Sequence, residues 1–106
     1  MKFGLLFEMQ RPYEGTEIDW NALYRETLDQ CELADQVGFD NLWFVEHHFL
    51  FGFSGSPCPE VMFGALSQRT KNIHIGFGVS VLPNHHPIRV ADRKSTRLNS
   101  SHTSIS

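Results

Sequence analysis

At 106 residues with 41 % hydrophobic content, the chain has the size and composition of one small globular unit. Its opening run, Met1 to Phe7, is broken by Glu8 before it could form a signal peptide, and no apolar stretch nears the ~20 residues of a membrane span. A cytoplasmic protein with no membrane partner is therefore expected. Net charge is −3, and residues 1–92 hold six basic against twelve acidic side chains, which argues against a nucleic-acid partner because phosphates are bound by Lys and Arg.

Phe3 to Phe7 is an apolar, strand-like run, and Arg11-Pro12-Tyr13-Glu14-Gly15 after it is a polar loop punctuated by Pro and Gly. Asp19 can cap a helix in which Trp20, Leu23, Tyr24, Thr27, Leu28, Cys31, Ala34 and Val37 recur at steps of three and four. Gly38 stands where a helix end favours the left-handed conformation. Leu42-Trp43-Phe44-Val45 is short and wholly apolar, as suits a strand buried on both faces.

The polar run Glu46-His47-His48 ends that strand, and a loop rich in Phe, Gly and Ser leads to Pro57-Cys58-Pro59, which opens a second helix reaching about Arg69. Ile73 to Val81 alternates as a third strand, with Ile73, Ile75, Phe77, Val79 and Val81 on one side. Pro83-Asn84-His85-His86-Pro87 reads as a turn, and Ile88 to Asp92 begins a third helix. Cys31 and Cys58 lie too far apart for a CxxC motif and are expected to be reduced, partly buried thiols.

Strands alternating with helical segments indicate right-handed parallel crossovers. Both a doubly wound sheet and a (β/α)8 barrel open this way, and the first strand lacks the glycine-rich phosphate loop of a dinucleotide-binding sheet. Composition changes after Asp92: seven of the fourteen residues 93–106 are Ser or Thr. That tail is expected to be disordered or foreign to the fold, which leaves 1–92 as the structural unit.

Ligands of parallel α/β proteins sit beyond the carboxyl ends of the strands. Those ends carry Glu8, then Glu46-His47-His48, then Gly78-Val79-Ser80. An imidazole titrating near ~6.5 could move a proton at neutral pH with Glu46 orienting it. The same residues could also supply metal ligands or simply bond loop backbone. Adjacent residues leaving a strand point to opposite sides, so His47 and His48 are not expected to share an ion, and no metal is expected. Gly76 and Gly78 within a strand mark either close ligand approach or tight packing. The Phe49–Phe53 stretch could shape an apolar substrate pocket or be core beneath a loop. His85 and His86 read as turn residues, and His74 as a satisfied polar residue away from the mouth.

Four stretches resemble the bacterial luciferase-like monooxygenases: Met1–Gly4, Gly38–Phe49 with its Gly-Phe-Asp…Trp…Glu-His-His-Phe run, Lys71–Gly76, and Val81–Arg89. The resemblance implies the first β/α units of a (β/α)8 TIM barrel, cut after about three strands. The whole barrel would need about 250 residues. It further implies use of reduced FMN and O2 to oxidise a small organic substrate, an aldehyde in the luciferase branch. A flavin reductase as supplier and a dimeric full-length form are also implied. A deazaflavin-dependent oxidoreductase or a non-catalytic flavin-binding relative would share these motifs. Carried onto this chain, His47 matches the family's catalytic imidazole, with Glu46 and His48 beside it. Gly78-Val79, with Ser80 and Glu8, falls where flavin is held, and Gly78-Val79 matches a place where many members have a non-prolyl cis peptide. The phosphate-binding residues are expected outside this chain.

Overall fold

The structure is a computed structural model that describes residues 1–10, 17–50 and 52–100, with side chains up to residue 93. The loop expected at 11–15, Phe51 and residues 101–106 lie outside the described residues. The elements run β1 (Gly4–Phe7), α1 (Trp20–Val37), β2 (Asn41–Phe44), α2 (Pro59–Arg69), β3 (His74–Phe77) and α3 (Pro87–Ser100), with a short 3₁₀ turn at Leu82–Asn84. The sheet is parallel throughout, in the order β1-β2-β3. Strands alternating with helices on a parallel sheet are the mixed α/β arrangement expected. None of the described helices is long and apolar enough to cross a membrane.

Each helix end has a local cause. The Asp19 carboxylate accepts the Ala22 N–H at 3.0 Å, satisfying one of the donors that every helix start leaves open. At the other end Gly38 takes φ +97°, and its N–H and that of Phe39 return to the Ala34 carbonyl at 3.2 and 3.0 Å. Space is not the reason for glycine there, since an added Cβ would meet nothing within 4 Å; the backbone angle is. The helix buries Thr27, Cys31, Ala34 and Asp35. Val37, expected on that stripe, is exposed because the helix ends there and Phe39 packs against the core instead.

The strand register puts Leu5, Leu42 and Ile75 in one row and Phe7, Phe44 and Phe77 in the next. Both rows face the helices, where Leu42, Phe44, Met62 and Leu66 are buried. Phe7 stacks on Phe44 at 5.2 Å, and Phe63 of α2 stands edge-on to Phe44 and Phe77 at 5.6 and 4.9 Å. Full burial of side chains this size stabilises the fold by about 1.5–3 kcal/mol each.

On the other face the row is Leu6, Trp43 and Gly76. Leu6 is 57 % and Trp43 41 % exposed, so β2 is not buried on both faces as its composition suggested. That face would turn inward in a closed barrel; of its row, only Gly76 is buried.

The third strand is shorter than its alternating pattern. Gly78 N–H donates to the Phe44 carbonyl at 2.7 Å as the last rung; β2 has ended there, and Val81 N–H turns to the Glu46 carboxylate. All described peptide bonds are trans. Gly78–Val79, at the place where many members of the resembled family have a cis bond, is therefore trans too, and the chain bends at Gly78 directly after β3.

Asp35 links the first helix to the third strand. Its buried carboxylate accepts the N–H groups of Lys71, Asn72 and Ile73 at 2.8–2.9 Å. Arg69 at the end of α2 reaches back to Asp29 and Glu32 of α1, each at 2.6 Å. The third helix starts with Pro87 and runs past Asp92 to Ser100. Arg93, the first residue of the expected tail, pairs with Glu60, lies 4.9 Å over the Phe77 ring and donates to Ser80 Oγ at 3.2 Å.

Candidate active site

The parallel sheet brings Glu8, the Glu46-His47-His48 turn and Gly78–Ser80 to one mouth. Glu8 follows the last residue of β1, and His47 leaves the end of β2. His47 Nε2 and Glu8 Oε2 stand 3.3 Å apart, both side chains partly exposed. The His47 ring also stands edge-on to Phe53 at 5.8 Å, while its backbone N–H is held by the Ser56 carbonyl at 2.9 Å.

The loop between β2 and α2 is tied down under this pair. Ser54 Oγ donates to the Glu8 carbonyl at 2.5 Å, Ser56 Oγ to the Val45 carbonyl at 2.6 Å, and Gly55 N–H to the Met9 carbonyl at 3.0 Å. Tyr24 OH donates to the Gly55 carbonyl. Gly55 is packed by the Trp20 ring so closely that no side chain would fit there. Met9 at φ +50° and Phe49 at φ +57° are non-glycine residues in the left-handed region. Such residues cost about 1–3 kcal/mol and gather at functional sites. Phe49, Leu50 and Phe53 are exposed, so these described parts of the phenylalanine-rich loop are not core.

Glu46 points the other way from His47. It is 1 % exposed; its Oε1 accepts from His48 Nε2 at 2.7 Å and from His85 Nε2 at 2.6 Å, and its Oε2 accepts the Val81 N–H at 2.9 Å. Burial pushes its carboxyl up, but the bonds from His48, Val81 and His85 outweigh burial and hold it below the ordinary carboxylate range. An ionised carboxylate only accepts, so both imidazoles carry their hydrogen on Nε2. As expected of neighbours leaving a strand, His47 and His48 serve different carboxylates.

His85 is the residue that sequence reasoning missed: read as a turn histidine, it is partly buried on Glu46. A histidine two residues after a proline gives no such signal by itself. His86 does behave locally, its Nδ1 accepting the Ile88 N–H at 3.1 Å at the start of α3. His47 on Glu8 and His86 on its own helix start therefore stand apart from His48 and His85. Glu46, His48 and His85 bring their ligand atoms within 4.8 Å of one another. Separations of 2.6–2.7 Å from the shared oxygen are nonetheless hydrogen bonds. Two ligands about 2.1 Å from one tetrahedral zinc would stand roughly 3.4 Å apart.

Gly78 lies at the mouth, and a Cβ there would come to 3.0 Å from Leu6 Cδ1 and 3.4 Å from the Phe44 carbonyl, so a side chain would have to displace the exposed tip of Leu6. Val79 beside it is 47 % exposed. His74, at the opposite end of β3, takes no part; its N–H is held by the Asp40 carbonyl at 3.0 Å.

Carboxylate and imidazole gather at the carboxyl ends of parallel strands, each followed by a helix, which is where β/α-barrel enzymes hold their sites. Residues 1–96 match the family described as luciferase-like monooxygenase. The chain is 39 % identical over 82 residues to limonene 1,2-monooxygenase of Rhodococcus erythropolis, covering 77 % of this chain and 21 % of that protein. It is 33 % identical over 91 residues to the oxygenase component of a flavin-dependent trigonelline monooxygenase of Acinetobacter baylyi, covering 86 % and 24 %. In three dimensions it superposes on the oxygenating constituent of 3,6-diketocamphane monooxygenase from Pseudomonas putida, solved with FMN. That match has a TM-score of 0.79 at 26 % identity and covers 94 % of this chain and 26 % of the other. The chain belongs to the luciferase-like monooxygenase family. It spans 21–26 % of the length of these relatives, and both the match and α3 continue beyond the Asp92 boundary expected from composition.

Proposed function

We propose that this chain forms the first quarter of a flavin-dependent monooxygenase barrel and that His47 is its proton-handling group. The observation that carries this reading is the His47–Glu8 pair, 3.3 Å apart at the carboxyl end of parallel strands and open to the mouth. A carboxylate beside an imidazole orients the ring, so the pair can hold or deliver a proton at one defined atom, His47 Nε2.

The residues present fit the ring end of a flavin. Leu6 and Trp43 expose apolar surface on the inner face, Val79 exposes more at the mouth, and Gly78 keeps the backbone there bare. Gly78, Val79 and Ser80 would hold the ring edge, with Glu8 and His47 beside it, while the phosphate would be held by strands beyond this chain. When bound, reduced FMN activates dioxygen toward a small organic substrate. Two relatives support this reading, one named flavin-dependent and the other solved with FMN. The oxygenase-component name of the first supports a separate reductase as the source of reduced flavin. Glu46 and His48 act in support, fixing the turn from which His47 leaves.

The test is a barrel in which residues 1–96 replace the matching part of limonene 1,2-monooxygenase. Oxygen consumption with reduced FMN, and none with a reduced deazaflavin, is expected. His47→Ala should lower kcat by roughly 10²–10⁴-fold, the usual span for loss of a general acid–base group, with flavin binding retained. Undiminished turnover in that variant would remove His47 from the chemistry. Hydride transfer from the substrate to an oxidised deazaflavin, with no oxygen consumed, would move the protein to the dehydrogenase branch, and flavin binding without turnover in either form would make it a binding protein.

A further inference from the structure

The mouth is built from two loops that the sheet does not join. Beyond Phe44 and Gly78 the β2–β3 ladder has ended, yet the turn after β2 and the segment after β3 remain bound to each other. Glu46 makes that connection, receiving His48 from its own turn and both Val81 and His85 from across the gap. Val81 and His85 flank the 3₁₀ turn Leu82–Asn84, whose closing bond runs from His85 N–H to the Leu82 carbonyl at 3.0 Å. The segment is therefore short, rigid and pinned at both ends to a single buried carboxylate.

His47 sits between the two residues that this carboxylate fixes, Glu46 itself and His48. Peptide geometry leaves it little freedom once both neighbours are held. We propose that His85 is a positioning residue for His47: by sharing the Glu46 carboxylate with His48, it fixes the turn in the orientation that presents the His47 ring to Glu8 and Phe53. The proposal rests on the reading of His47 as the acid–base group and adds to it a residue that touches neither flavin nor substrate. A misplacement of about 1 Å at a reacting group can cost a hundredfold in rate, so a distant tether of this kind is visible in turnover.

The experiment uses the same completed barrel with histidine rings isotopically labelled. His85→Ala removes one donor from Glu46; His85→Gln keeps an N–H near the position of Nε2; His85→Asn has an amide that falls short. The expected result for His85→Ala is a shift of the His47 ring signals toward those of a free histidine, because they lose the ring current of Phe53. With it, kcat should fall ten- to a hundredfold while the KM for flavin stays within twofold, and His85→Gln should return both readouts to near the parent. Unmoved His47 signals in a folded His85→Ala protein would overturn the proposal. So would a stoichiometric divalent ion retained by the parent and lost with His85, since the triad would then be a metal site. Should the alanine protein fail to fold, the amide pair decides: Gln near the parent with Asn impaired supports the tether, and equal behaviour of the two overturns it. A parent that binds no flavin would sink the preceding functional reading, while the His47 ring shifts would still decide the role of His85.

Discussion

Glu46 and Asp35 are two buried carboxylates, each accepting three hydrogen bonds, and both are held below their ordinary values of 4.5 and 3.8. For Asp35, burial again pushes upward and is outweighed by the N–H groups of Lys71, Asn72 and Ile73, with the Lys71 charge assisting. A carboxyl depressed in the folded state contributes stability that is fully present above its unfolded value and is lost as pH falls through its folded one. Acid unfolding, followed by circular dichroism, should therefore set in only below the ordinary carboxylate range. Asp35→Asn should flatten that acid limb and cost about 1–3 kcal/mol at neutral pH, because an amide offers one acceptor oxygen to three donors. The two cysteines differ in the same physical terms. Cys31 is fully buried and burial pushes its thiol up to about 12, with Arg69 pulling weakly the other way, whereas Cys58 is exposed. A thiol reagent followed by mass spectrometry should label Cys58 within minutes and leave Cys31 unmodified until the protein is unfolded. Equal labelling of both would show that the α1–sheet contact is open.

At the scale of elements, α1 and α2 are clamped onto the sheet by side chains with little room to change. Leu66 of α2 is fully buried among Leu42, Phe44 and Met62, so Leu66→Ala should cost about 2–5 kcal/mol in urea unfolding. Gly38→Ala should cost about 1–2 kcal/mol through its positive φ alone. These elements were legible in the sequence because each follows from local chemistry: the Asp19 cap, the three-and-four spacing to Ala34, the Gly38 stop, and the apolar run at β2. What escaped were features set by groups distant in sequence. The third strand stops at Phe77 because its partner strand stops at Phe44, not because the alternation fails. Trp43 is exposed although its neighbours read as core, since exposure depends on what the rest of a barrel covers. At the mouth, Glu8 and His47 could be placed together from strand polarity. The Glu46–His85 bond could not, because it joins residues 39 apart across a turn whose sequence is unremarkable in composition.

Among the described residues, β1 and β3 each leave one sheet edge unpaired, and one face of the sheet carries exposed apolar side chains. Leu6 and Trp43 on that face and Phe3 near its edge are all more than 40 % exposed. Open parallel edges and contiguous apolar surface favour self-association. Residues 1–106 alone should sediment as oligomers at micromolar concentration and show no monooxygenase turnover. Leu6→Gln with Trp43→Gln should shift the distribution toward monomer without loss of helical signal. A parent chain that sediments as a clean monomer would mean that the face is covered in solution.

The Asp35 clasp has a consequence for how the molecule opens. Three successive amides, Lys71 to Ile73, sit in a bend that ordinary secondary structure would leave to solvent, yet their hydrogens are committed to an acceptor on a helix more than thirty residues upstream. Deuterium uptake at those three positions should therefore proceed at one shared rate, the rate at which the first helix lifts from the sheet, and so a three-residue bend becomes a gauge of that undocking.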